Sequence, residues 1–192
     1  MNKITLAGVI DSEITILKKS KRNVVEFYLS SKRISGAEDT IRIIAKEELL
    51  NGCGRGDKVI VIGSVRTKNK DGHLLIYVHA DDIFYYLEED MDIVEANGFI
   101  CSKKELRKTP LSDQTILEMT VAVNNDFGTS YIPCILWNGL AKRFENVEIG
   151  TEVNIKGRLQ SRAYVKFLSE TETEVRTAYE LSVFDVEKVE DK

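Results

Sequence analysis

The sequence predicts an all-β chain of two tandem small barrels, each with one short helix. Three observations carry this. Apolar and polar residues alternate in short runs bounded by Gly, Asn, Asp or Ser, the signature of half-buried strands. The pattern of the first half returns in the second. The longest apolar runs, such as Val59-Ile60-Val61-Ile62, are strand-sized, far short of the roughly 20 residues of a membrane helix.

The repeat is read directly. Gly56-Asp57-Lys58-Val59-Ile60-Val61-Ile62-Gly63-Ser64-Val65 returns as Gly150-Thr151-Glu152-Val153-Asn154-Ile155-Lys156-Gly157-Arg158-Leu159 at a shift of 94. Val25–Leu29 matches Leu117–Val121, and Ile76–Ile83 matches Tyr179–Val186. A repeat this long means two domains rather than a solenoid: residues 1–88 and 96–189, with the acidic run at 89–95 as linker.

In the first domain, strands are expected at 4–16, bending at Gly8, then at 24–31, 40–46, 57–67 and 74–87. Lys70-Asp71-Gly72 reads as a hairpin turn, because Gly accepts the positive φ that closes it. Lys46-Glu47-Glu48-Leu49-Leu50 before Asn51-Gly52 reads as a short helix with its stop signal, as does Asn138–Phe144 in the second domain. Five strands with a helix between the third and fourth, in about 90 residues, is the layout of the five-stranded OB-fold barrel.

Composition narrows the function. The chain has 192 residues, 43% hydrophobic and 30% charged, enough for an ordinary core. The net charge of −4 splits evenly, with 14 basic and 16 acidic residues over 1–96 and 13 basic and 15 acidic over 97–192. Bulk charge therefore does not attract nucleic acid, and any such signal must be local. The N-terminus lacks the pattern of a secretory signal. Cys53, Cys101 and Cys134 are widely spaced with no C-x-x-C, which fits neither a zinc ribbon nor a disulfide framework and suits a reducing cytoplasm. With only His73 and His79, no multi-histidine metal site is possible, and no metal or cofactor is expected. His73 and His79 read as exposed edge residues on one strand face. The run Gly52-Cys53-Gly54-Arg55-Gly56 lacks the Lys-Ser/Thr ending of a phosphate loop. Asp81-Asp82 reads as structural, since Asp82 has a repeat counterpart in Asp185. An enzyme is not expected.

The local signal lies on the fourth strand of the second domain. Val153, Ile155 and Leu159 share the core side with Gly157, while Lys156, Arg158, Gln160, Arg162, Tyr164 and Lys166 occupy the other. On strand three, Ile132, Cys134 and Leu136 point inward, and Tyr131, Pro133, Ile135 and Trp137 outward. A solvated antiparallel face is also polar, but this row contains no acid. Cations interleaved with rings suit single-stranded nucleic acid, with phosphates on Lys and Arg and bases stacked at about 1–3 kcal/mol each. Burying an indole needs a partner for its N–H, so Trp137 reads as a platform rather than core.

The second domain resembles bacterial single-stranded DNA-binding protein across nearly all of 97–189. The stretches that carry the resemblance are Glu105–Pro110, Thr120–Asn124, Ile135–Ala141 and Gly157–Tyr164. The resemblance places stacking rings at Phe127 (in a loop), Tyr131, Trp137 and Tyr164, and basic contacts near Arg107, with Lys108 beside it, and at Arg158 and Arg162. It departs from the family at Leu111-Ser112-Asp113, where the family usually has Gly, and at Asn125, where it often has Arg. The family's acidic, Phe-ended recruitment tail is not expected, since the chain stops soon after the last strand. The first domain resembles the family more weakly and lacks the rings, with Thr40, Lys46 and Lys70 at those positions. Its Arg66, Lys68 and Lys70 could still touch phosphate. Ile60 and Ile62 point outward there and ask for a cover, either a partner subunit or the other domain. The resemblance implies a homo-oligomer, a homodimer giving four OB folds.

The expected function is non-enzymatic, largely sequence-independent binding and protection of single-stranded DNA in replication, recombination or repair, in the cytoplasm. The alternative is an OB-fold module for single-stranded RNA or a protein–protein adaptor in a replication complex.

Overall fold

A computed structural model describes every residue except 20, 22, 71, 110, 111, 127, 168–171 and 190–192, and all described side chains but those of 166 and 167. The first half is built from β1 (Asn2–Ile10), β2 (Thr15–Lys18), β3 (Val24–Lys32), β4 (Glu38–Lys46), β5 (Lys58–Lys70) and β6 (His73–Tyr85). The second half has β7 (Met91–Lys103), β8 (Arg107–Lys108), β9 (Thr115–Asn125), β10 (Gly128–Trp137), helix α1 (Asn138–Phe144), β11 (Glu152–Phe167) and β12 (Thr173–Lys188).

Both halves close the same way. β1 pairs with β3 and β5, β3 with β4, β5 with β6, and β4 returns to β6 in parallel. In the second half β7 pairs with β9 and β11, β9 with β10, β11 with β12, and β10 with β12 in parallel. This closed order is the OB barrel. Inward alternation fills each interior: Ile4, Leu6, Phe27, Ile41 and Val61 in one, and Val121, Ile132, Leu136, Ile155 and Leu181 in the other, all buried.

Closure requires tight crossings. A Cβ at Gly8 would lie 2.1 Å from the Ser30 carbonyl oxygen, and one at Gly63 would lie 2.1 Å from that of His79. Only a residue without a side chain lets these strands approach so closely. The ladder also shifts at matched places, between Ile62 and Gly63 and between Lys156 and Gly157. Each shift leaves one residue of the partner strand outside the register, Asp81 in the first barrel and Phe184 in the second, as a bulge does.

Three expectations change. The segment 4–16 is two strands rather than one bent strand, because residues 11–14 fall outside the strands between Ile10 and Thr15. Of the two expected helices, the first is a single 3-10 turn, Glu47–Leu50, closed by Asn51 in the left-handed region at φ 49°. The acidic run read as a linker is mostly strand: residues 91–95 open β7, which pairs with β1 from Asn2↔Ala96 to Ala7↔Met91. Three of its acids are individually partnered. Asp90 meets Lys58 at 2.7 Å and the Lys32 N–H at 2.8 Å, Asp92 accepts from Leu159 N at 3.2 Å, and Glu95 meets Lys156 at 2.7 Å. The β1–β7 ladder joins the barrels into one continuous sheet. Among the described residues, no helix is long and apolar enough to cross a membrane.

Candidate nucleic-acid interface

The outer face of β10, β12 and β11 carries the expected residues. Strand alternation puts Tyr131, Pro133, Ile135 and Trp137 on the outside of β10, while Ile132, Cys134 and Leu136 are buried inside. Burial of the Cys134 thiol raises its pKa far above the ordinary range, so it is an inert core residue. Tyr131 is 49% and Tyr164 36% exposed. Trp137 is half-buried and its Nε1 donates to Ser182 Oγ at 2.9 Å. That bond satisfies the indole and fixes the ring at the edge of the face. Ile135 points outward as expected but is buried all the same, lying opposite Glu118 in the β9–β10 ladder.

The cationic row stands beside these rings. Arg158 is half-buried and Arg162 exposed on β11. The row itself lacks acids, yet neighbouring strands bring them. Glu95 pairs with Lys156, and Glu180 lies 4.0 Å from Arg162. Glu118 pairs with both Lys104 and Arg107, and Asp113 with Lys108 at 2.8 Å. Glu95 is held below the usual carboxylate range by its hydrogen bond to Lys156. Glu118 is also lowered, its partial burial being outweighed by Lys104 and Arg107. These cations therefore meet a phosphate only in exchange for a carboxylate. Alternation along one strand could not reveal partners that arrive from other strands. Phe127 and the side chain of Lys166 lie outside the described residues.

The first barrel leans onto this face. Its β5–β6 hairpin approaches β10, where Tyr131 N donates to Thr67 Oγ1 at 2.8 Å. The reciprocal contact, Thr40 N to Ser161 Oγ at 3.3 Å, joins β4 to β11. Thr67 and Ser161 are repeat counterparts at the 94-residue shift, so the barrels grip each other about a pseudo-twofold. Asp39, fully buried, strengthens one side of the grip. It accepts from Ser161 N at 2.7 Å and pairs in bidentate fashion with Arg33 at 2.6 and 2.7 Å. Burial opposes its ionisation, but Arg33 and Ser161 outweigh that and lower its pKa. A cleft of about 620 Å³ runs between the hairpins beside Tyr164, Pro133, Leu74 and Tyr179.

Elsewhere in the first barrel, Thr40, Lys46, Lys68 and Lys70 are exposed, and Arg66 is half-buried with Nε 3.2 Å from Ser64 Oγ. Ile60 and Ile62 face outward but are half-buried, not bare, because Ala7 and Thr5 of β1 flank them in the ladder. Phe84, cross-strand from Ile60, is exposed, as is Val9. His73 is exposed, as expected, with Nε2 3.1 Å from Arg176 Nη1. His79 is half-buried, and burial followed by the charge of Arg66 lowers its pKa. The sequence offered no sign of Asp92. Its acidic neighbourhood looks solvated, yet its carboxyl is buried between the barrels and burial raises its pKa to about 7.

The fold agrees with comparisons to known proteins. Residues 92–189 match the single-strand binding protein family, just over half of the chain. No curated protein sequence matches it. The wild-type single-stranded DNA binding protein from Thermus aquaticus superposes with a TM-score of 0.79 at 16% identity, covering 100% of this chain and 94% of that one. A deletion variant of that protein gives 0.78 at 17% identity, covering 100% and 96%. At such identities these structures share the fold, both barrels included. With its second barrel matched from the first strand to the last, the chain belongs to the single-strand binding protein family, non-enzymatic binders of single-stranded DNA.

Proposed function

We propose that the chain holds single-stranded DNA unpaired by stacking bases on Tyr131, Trp137 and Tyr164 and setting phosphates against Arg158, Arg162, Lys156, Arg107 and Lys108. The observation that supports this most is the Trp137 ring, anchored through Nε1 on the same face as the exposed Tyr131 and the guanidiniums of β11. Stacking is indifferent to base identity because every base has a π-face, so binding is largely sequence-independent. Phosphate contact adds salt dependence. Protection of exposed strands in replication, recombination or repair follows, in the cytoplasm where such DNA is found. The second barrel is the main binding domain. The first, whose ring positions hold Thr40, Lys46 and Lys70, adds charge through Arg66, Lys68 and Lys70 and serves assembly.

Two chains give four barrels, and a homodimer is part of this proposal. The second barrel joins the first along the β1 edge and so leaves the outer face at Ile60, Ile62, Phe84 and Val9 free for a second copy. Oligo-dT and oligo-U competition at several salt concentrations tests the nucleic-acid preference. DNA should win at physiological salt, and equal or stronger RNA binding would contradict the proposal.

A further inference from the structure

We infer that the first barrel completes a nucleotide subsite on the second, in which Arg33, Arg158, Trp137 and Phe184 together hold one nucleotide of the bound strand. The inference rests on the single-stranded DNA binding proposed above. It adds two residues, Arg33 and Phe184, that neither strand alternation nor family resemblance singled out.

A groove of about 440 Å³ lies beside Trp137 and is lined also by Arg33, Arg158, Gln160, Ser182 and Phe184. That volume is in the range of small-ligand sites. Its aromatic side is built, not incidental. Ser182 Oγ accepts from Trp137 Nε1 and fixes the indole. Phe184 is the residue expelled from the β11–β12 register at the Lys156/Gly157 shift, and its side chain is 55% exposed. A large apolar ring left in water next to an indole is a place where a base can stack.

The charged side comes from both barrels. Arg158 projects from β11. Arg33 stands at the turn between β3 and β4, where its N–H donates to Ala37 O at 2.7 Å. Its Nε and Nη2 hold the Asp39 carboxylate, and Nη2 reaches Ser161 O at 3.3 Å. Nη1 makes no hydrogen bond among the described residues. Asp39 is buried while Arg33 lines the groove, so the guanidinium is presented rigidly with its counter-charge beneath it. A planar, preorganised cation of this kind suits phosphate. The repeat supplies a contrast: the matching bulge of the first barrel carries Asp81, and the position matching Trp137 is Lys46. The subsite therefore exists once per chain.

The test is an oligo-dT titration of the full chain, read by fluorescence of Trp137, the single tryptophan, across a range of salt. The parent is compared with Phe184→Leu, Arg33→Gln and Asp39→Asn. Phe184→Leu, at an exposed position, should weaken binding roughly five- to a hundredfold, the range of one stacked base. Arg33→Gln should lower the salt slope by up to about one unit. Asp39→Asn breaks the same tie between barrels but keeps the guanidinium, so its slope should equal or exceed that of the parent. Parental affinity in Phe184→Leu overturns the subsite. So do equal losses of slope in Arg33→Gln and Asp39→Asn, which would make Arg33 only a tie between barrels. A parent that fails to bind overturns the proposed function and the subsite together, whereas a binding parent with unaltered variants overturns the subsite alone.

Discussion

Trp137 illustrates how much a single position can carry. Its outward direction follows from alternation with Ile132, Cys134 and Leu136, and its stability at the edge follows from the Ser182 bond. If the ring is a stacking platform, Trp137→Ala and Tyr164→Ala should each weaken oligo-dT binding by about 1–3 kcal/mol. Arg162→Ala should instead mainly lower the salt slope, by up to about one unit. Filter binding reads both, and parental affinity in a folded Trp137→Ala would mean that the bases lie elsewhere. Asp92 gives a second residue-scale prediction. Its folded-state pKa of about 7 lies above the ordinary carboxylate value of 3.8, and burial is the leading cause. The folded chain therefore keeps a proton that the unfolded chain releases, and stability falls as pH rises between those values. The penalty is complete above about pH 7 and absent below pH 4. Asp92→Asn should raise the melting temperature at pH 8, and the gain should shrink toward pH 4. A gain independent of pH would place the cause outside this carboxyl.

At the scale of elements, the repeated glycines are the most legible feature of the fold and the most testable. Gly63 and Gly157 recur at the 94-residue shift and sit at the two register shifts. A Cβ at Gly63 would meet backbone at 2.1 Å, which a side-chain rotation cannot relieve. Gly63→Ala should cost on the order of 1–3 kcal/mol or more, whereas Gly139→Ala, in open space at the start of α1, should be neutral or slightly stabilising. Urea unfolding of the two variants distinguishes them, and equal midpoints would contradict the crossing. Most strands, the α1 segment and both core faces could be read from alternation, because burial on one side imposes period two. The start of β7 could not. Asp90, Asp92 and Glu95 resemble a solvated linker in sequence, and only the arrival of Lys58, Leu159 N–H and Lys156 from distant strands makes them structural. The ion pairs on the binding face were hidden for the same reason.

At the scale of the whole molecule, the β1–β7 ladder decides what the second barrel can cover. Because it extends the sheet sideways, it does not fold back over Ile60 and Ile62. Burial of an isoleucine is worth about 1.5–3 kcal/mol, and with Phe84 and Val9 alongside, a closed twofold pairing through this face is favoured. Sedimentation equilibrium should find a dimer of the 21.7 kDa chain, and Ile60→Glu with Ile62→Glu should break it. A concentration-independent monomer would refute the pairing, and a dimer that survives both changes uses another surface. Unpaired DNA should lie across the rings of the second barrel. Fluorescence titration of Trp137 in the full chain with oligo-dT of increasing length tests it most directly. Quenching should saturate at a stoichiometric ratio and weaken as salt rises. Unchanged fluorescence at saturating DNA would contradict the account.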